Sequence, residues 1–247
     1  MRRYLLLVVL TIILICRLYS QNGFGIGEKL EFSMWYNFIK AGYAEMSVDS
    51  LIKTRNGFAY IISYKAISTG IFEKIYKVRD YMISIVDADK FYSCGFKKNI
   101  REGSYRKNYK VDFDYVNMEA RSNSDTISLN GYVNDPVSIF YYVRRLDLNP
   151  GEEYSVESFD NSKISKYKLI VSDVKTISTI FGDQNCLVIK PIGFDNKPFK
   201  YGGQAVIYLS IDKRVPVLIE TSFKFGKVKM RLEKYYPSNN NNRMKME

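Results

Sequence analysis

The sequence predicts an all-β, mainly antiparallel fold: a single curved sheet closing to a barrel or half-barrel, with one short covering helix near 136–146. Three observations carry that expectation. Apolar and polar residues alternate with period two in stretch after stretch, short Gly, Asn and Asp turns separate the stretches, and one segment opening on Asp135-Pro136 breaks the period.

The alternation begins in "GEKLEFSMWYNFIKAG", residues 27–42, where Leu30, Phe32, Met34, Tyr36 and Phe38 share one face. Successive side chains on a pleated strand point to opposite sides, so this period marks a half-buried strand. Ala44, Met46, Val48 and Ile52 continue the pattern after a reversal expected at Gly42. Asn56-Gly57 then signals a hairpin, because both residues tolerate positive φ. Tyr105, Tyr109, Val111, Phe113 and Tyr115 form a second row. Tyr167 to Val171 follows the turn "FDNSK", Cys186 to Ile192 follows "FGDQN", and Ala205 to Leu209 and Val228 to Leu232 complete the series. About ten strands are expected, enough for the sheet to curl or close.

In "DPVSIFYYVRRL" Asp135 is placed as N-cap and Pro136 at the first helical position. Pro136, Ile139, Phe140 and Val143 then fall on one helical face, and Arg144 and Arg145 suit the C-terminal end of the dipole. "GIFEKIYKV", residues 70–78, supports one or two helical turns.

Residues 1–20 read as a secretory signal peptide, with Arg2 and Arg3, an apolar run from Leu5 to Cys16, and cleavage expected after Ser20. An uncleaved anchor and a lipoprotein modified at Cys16 are the alternatives, the latter weakened by Ile15 and Arg17. Residues 21–236 are expected to form a single β-rich domain and 237–247 a disordered polar tail. Loss of Arg2, Arg3 and Arg17 lowers the formal charge from +11 to +8. For an exported chain, such a balance points to an anionic membrane surface or envelope partner rather than nucleic acid; solubility alone is the plainer reading. Cys94 and Cys186 are a candidate disulfide, which would close a loop of about 90 residues and stabilise by roughly 4 kcal/mol. Two separately buried thiols are the alternative.

The chain contains no histidine. Imidazole-based acid/base catalysis, Ser-His and Cys-His nucleophiles and the commonest transition-metal ligand are therefore absent. No catalytic residue, cofactor or metal site is expected. Asp80, Asp87, Asp89 and Asp212 sit at strand ends where a carboxylate pair could form, although turn-forming is the usual job of Asp there. The stretch "KKNIREGSYRKNYK", residues 97–110, offers Lys97, Lys98, Arg106 and Lys107 as an anionic contact surface, with a solvated hairpin as the plain alternative.

Three stretches, "GEKLEFSMWYNFIKAG", "DPVSIFYYVRRLDLNPGE" and "YGGQAVIYLSIDKRVPVLIE", resemble in order and spacing the domain-of-unknown-function 3108 family of exported bacterial proteins. The resemblance spans about residues 25–235. It implies an exported β-rich envelope domain and carries no catalytic residues. The expected function is thus a non-catalytic envelope protein, periplasmic, with association with the outer membrane as the finer expectation. It would hold a lipid or envelope glycolipid in a Tyr/Phe-lined cavity walled by Phe32, Met34, Tyr36, Tyr109, Val111 and Phe113. A solid-core scaffold docking on an anionic partner and a carboxylate glycan enzyme remain the alternatives.

Overall fold

A computed structural model describes residues 24–55, 57–193, 204–223 and 226–238. The signal segment 1–20, Asn56 of the expected hairpin turn and the tail beyond residue 238 lie outside the described residues. Fourteen strands are described: β1 Lys29–Tyr36, β2 Ile39–Thr54, β3 Gly57–Ser68, β4 Arg79–Asp87, β5 Ser93–Glu102, β6 Tyr105–Asp114, β7 Glu119–Ser122, β8 Thr126–Ser128, β9 Glu153–Asp160, β10 Lys163–Thr179, β11 Gly182–Gly193, β12 Gln204–Ser210, β13 Pro216–Phe223 and β14 Gly226–Tyr236. Two short helices, α1 Gly70–Ile75 and α2 Ser138–Arg145, interrupt them.

All strands join one antiparallel sheet in the order β8-β7-β6-β5-β4-β3-β2-β1-β14-β13-β12-β11-β10-β9. Strands paired in the sheet are consecutive in sequence except at β1–β14, where the first and last strands meet in the middle of the sheet, leaving β8 and β9 at opposite edges. The edge strands β8 and β9 share no ladder, so the sheet is an open half-barrel rather than a closed barrel. Side chains draw the ends together instead. The Phe113 and Phe159 rings meet edge to face at 5.2 Å. The Ser162 amide donates to the Tyr109 hydroxyl at 2.9 Å, and Lys98 pairs with Asp160. The segment before α2 covers part of the β9 edge, where the Phe159 amide donates to the Asn134 carbonyl at 2.7 Å.

The first reversal falls at Asn37-Phe38, not at Gly42. Asn37 adopts φ 51°, a left-handed conformation that Asn accepts more readily than most residues. Gly42 lies inside β2, where a Cβ would stand 2.0 Å from the Ile67 carbonyl oxygen. The glycine thus serves close strand approach and not a turn. The expected row also ends early. Leu30 and Phe32 are buried, whereas Phe38 at the turn is 95% exposed. A bulge between Val48 and Ser50 likewise turns Ile52 outward, since one extra residue reverses the inside-outside phase. In "FGDQN" only the beginning turns, because β11 starts at Gly182 and Asn185 already pairs with Thr176.

The interior has two apolar clusters. The larger gathers Leu30, Phe32, Val48, Ile62, Val111 and Leu232 from across the sheet, together with Tyr141 of α2. The smaller sets Val143 of α2 against Val156, Leu169, Leu187, Ile189 and Leu209. Helix α2 thus stands between a packed core and the wall formed by β9–β12.

Candidate functional site

The two rows expected to wall a cavity belong mostly to the packed core. Phe32, Tyr109, Val111 and Phe113 are buried within the larger cluster, and Met34 is half-buried against it. Tyr36 lies at the sheet's end, its ring 5.7 Å from that of Phe72. These side chains fill one another's space.

A cavity of about 320 Å³ lies instead between α2 and the β9–β13 wall. One side is Pro136, just before α2, together with the helical face Ile139, Phe140 and Val143. The opposite side is built from alternate residues of successive strands, Leu169 of β10, Ile189 and Pro191 of β11, and Ile207 and Leu209 of β12. Polar groups border it at Ser158, Asp160, Ser165 and Arg144. Both bordering charges have partners, since Asp160 pairs with Lys98 and Arg144 with Glu28. An apolar hollow with a few peripheral polar atoms suits a hydrocarbon body carrying one polar end. Among the described residues, no group of three or more His, Cys, Asp and Glu side chains is arranged to hold a metal ion.

The cavity wall formed by α2 is held by two buried polar centres. The Asp135 carboxylate accepts hydrogen bonds from the amides of Val137 and Ser138 at 2.8 and 2.9 Å, as an N-cap does, and from the hydroxyls of Ser84 and Ser93. Burial raises its pKa, although these four donors oppose the shift. At the other end, Arg144 donates to both Glu28 oxygens at 2.7 and 2.8 Å, and its guanidinium lies over the Phe24 and Tyr141 rings. The Arg144 side chain also donates to the Arg214 carbonyl at 2.6 Å, and Arg214 returns two bonds to the Arg144 carbonyl.

A family model described as "Protein of unknown function (DUF3108)" matches residues 31–233. The chain belongs to the DUF3108 family. Among solved structures, this DUF3108 chain is similar to a β-barrel-like protein of domain of unknown function DUF1849 from Brucella abortus, with a TM-score of 0.57 at 9% identity, covering 84% of this chain and 96% of that one. That likeness shows a shared fold. An exported protein with a YmcC-like fold from Bacteroides fragilis gives a TM-score of 0.39 at 9% identity, covering 86% and 97%. A lipoprotein from Parabacteroides distasonis gives 0.37 at 11%, covering 87% and 98%. No curated protein matches the DUF3108 chain.

The remaining candidate residues of this DUF3108 protein separate. Lys97 is exposed on β5, whereas Lys98 points inward to Asp160 and cannot meet an external anion. Arg106 is exposed beside the β5–β6 turn, donating to the Gly103 and Tyr105 carbonyls, and Lys107 lies half-buried with its ammonium 5.9 Å from the Tyr109 ring centroid. The candidate bridge between Cys94 and Cys186 is not formed, and the alternative of two separate thiols holds. Both are free thiols, on strands eight places apart in the sheet, and burial pushes each up to about 11. Asp87 accepts the amides of Asp89 and Lys90, the turn-forming role expected of such residues. Asp80 is buried against Glu102, whose pKa is pushed up to about 7 by burial and by the neighbouring Asp80 charge. Neither carboxylate lines the cavity. Sequence reasoning missed Glu102, and it treated the alternating row of Leu169, Ile207 and Leu209 as strand signal only.

Proposed function

We propose that this chain is an exported, non-catalytic envelope protein that holds one apolar chain of a lipid-like molecule between α2 and the β9–β13 wall. The observation that carries this reading is the cavity itself. Its volume of about 320 Å³ stands at the small end of ligand sites, roughly 300–1,000 Å³, which suits a single hydrocarbon chain better than a whole diacyl lipid. Its lining is apolar on both sides, and the charged groups at its border are already paired. The signal pattern of residues 1–20 supports export, and the missing histidine, which removes the usual acid/base machinery, supports a non-catalytic role.

Native mass spectrometry of protein purified from cells that export it tests the proposal. A lipid-like adduct is expected, and Leu209→Trp, which fills the hollow from its β12 side, should abolish it while leaving the circular dichroism spectrum intact. In a thermal-shift series, single-chain fatty acids or lysolipids at about 100 times Kd should raise Tm by roughly 5 to 10 °C. Absence of both the adduct and the shift would overturn the reading.

A further inference from the structure

We propose that the end of the half-barrel formed by the β1–β2 turn and α1 docks on an anionic lipid bilayer, inserting Phe38, Ile39, Ile71 and Ile75 among the headgroups. This surface is separate from the cavity and does not depend on its being filled.

Backbone contacts make the end one continuous surface. The Asn37 amide donates to the Lys227 carbonyl at 2.8 Å, the Thr69 amide to Ala41 at 2.9 Å, and the Gly103 amide to Lys77 at 2.8 Å. The β1–β2 and β5–β6 turns and the start of β14 thereby gather around α1, with the Tyr36 and Phe72 rings packed beneath it.

Large apolar side chains crown that surface. Phe38 is 95% exposed, Ile39 53%, Ile71 71% and Ile75 73%. Ile71 and Ile75 are four residues apart, hence on one face of α1, and the helix has no buried residue. A helix normally turns its apolar face toward the core, so four such side chains at a protruding end mark a contact surface.

Charge selects the partner. Exposed Lys40, Lys74 and Lys77 border the apolar tips, with Arg106 at the adjoining turn. The acidic residue of α1, Glu73, is drawn back toward Arg79 and Lys77. The basic surface continues down the outer face of β4 and β5, where Lys77, Lys97 and Arg101 flank Tyr81 and Ile83. Protruding apolar groups ringed by long cationic side chains match the pattern of an interfacial anchor, in which insertion and attraction to anionic headgroups act together. Each basic residue near such a surface strengthens binding roughly fivefold. Antiparallel pairing also puts Asp160 and Pro191 at this same end of the sheet, so docking would turn the border of the cavity toward the bilayer.

The test is vesicle flotation of the purified full-length exported protein. Vesicles containing phosphatidylglycerol should carry it upward at low salt, and pure phosphatidylcholine should bind at least 100-fold more weakly. High salt should release it. The triple variant Phe38→Asp/Ile71→Asp/Ile75→Asp should stay at the bottom with an unchanged circular dichroism spectrum and Tm, because these side chains leave the core untouched. Lys40→Glu/Lys74→Glu should weaken binding more than 25-fold. No flotation with phosphatidylglycerol, or flotation of the triple variant equal to the parent, would overturn the proposal. So would self-association that the triple variant abolishes without any vesicle binding. Leu209→Trp should float normally and the triple variant should retain its bound lipid, so this test and the cavity test fail independently.

Discussion

Two residues 116 positions apart fasten α2 to the start of the sheet. Arg144 and Glu28 are both fully enclosed, and each would be an uncompensated buried charge without the other. Arg144→Met alone should destabilise by about 3 to 5 kcal/mol, whereas Glu28→Met/Arg144→Met together should recover most of that loss in urea unfolding. Glu102 makes a different residue-scale prediction. Its folded pKa, about 7, stands above its ordinary value of 4.5, so the folded state binds the proton more tightly. Stability should therefore fall as pH rises from about 4.5 to 7.5, by about 1 to 2 kcal/mol after solvent screening of this half-buried group. Glu102→Gln should flatten that slope in a pH series of urea melts. Neither residue was legible in the sequence. Arg144 read only as a cation suiting the end of a helix, because a partner so distant along the chain leaves no local pattern.

At the scale of elements, what depends on neighbouring residues was legible and what depends on register was not. The capping role of Asp135 and the apolar face of α2 follow from spacings of two to seven residues, and the structure uses both. Helix α2 nevertheless begins at Ser138, two residues after the Pro136 start that the sequence predicts, because the intervening residues form a turn. Asp135→Ala removes the cap and the acceptor of two buried hydroxyls, so a loss of about 2 to 4 kcal/mol is expected. Because α2 is one side of the cavity, the same variant should lose its lipid adduct in native mass spectrometry. Strands β7 and β8, of four and three residues, are too short to display a period and were absent from the expected series. Bulges escaped for a related reason: Val48 and Ile52 share a phase on paper, and a single added residue parts them. Gly42 read as a turn because glycine so often marks one. Its real constraint is the Ile67 carbonyl of the next strand, and Gly42→Ala should cost more than about 2 kcal/mol in chemical unfolding.

For the whole molecule, period two and short turns announced a curling antiparallel sheet, and that is what forms. Which part of the interior is filled was not written in the same pattern. The alternation of Tyr109, Val111 and Phe113 on β6 and the alternations that place Leu169, Ile189 and Leu209 on β10, β11 and β12 look alike as sequence. The first meets the other end of the sheet and packs solid, and the second faces a helix that stands away from it. The join between β6 and β9 relies on one ring pair, one lysine–aspartate contact and a few hydroxyls, with no ladder of backbone hydrogen bonds between the edges. A closed barrel has a circumference set by its strand number and shear. This one has a clasp instead: widening it means parting those side chains and the backbone bonds that Asn134 makes to β9, while every strand keeps its neighbours, so the girth open to the proposed apolar guest would be set at that clasp.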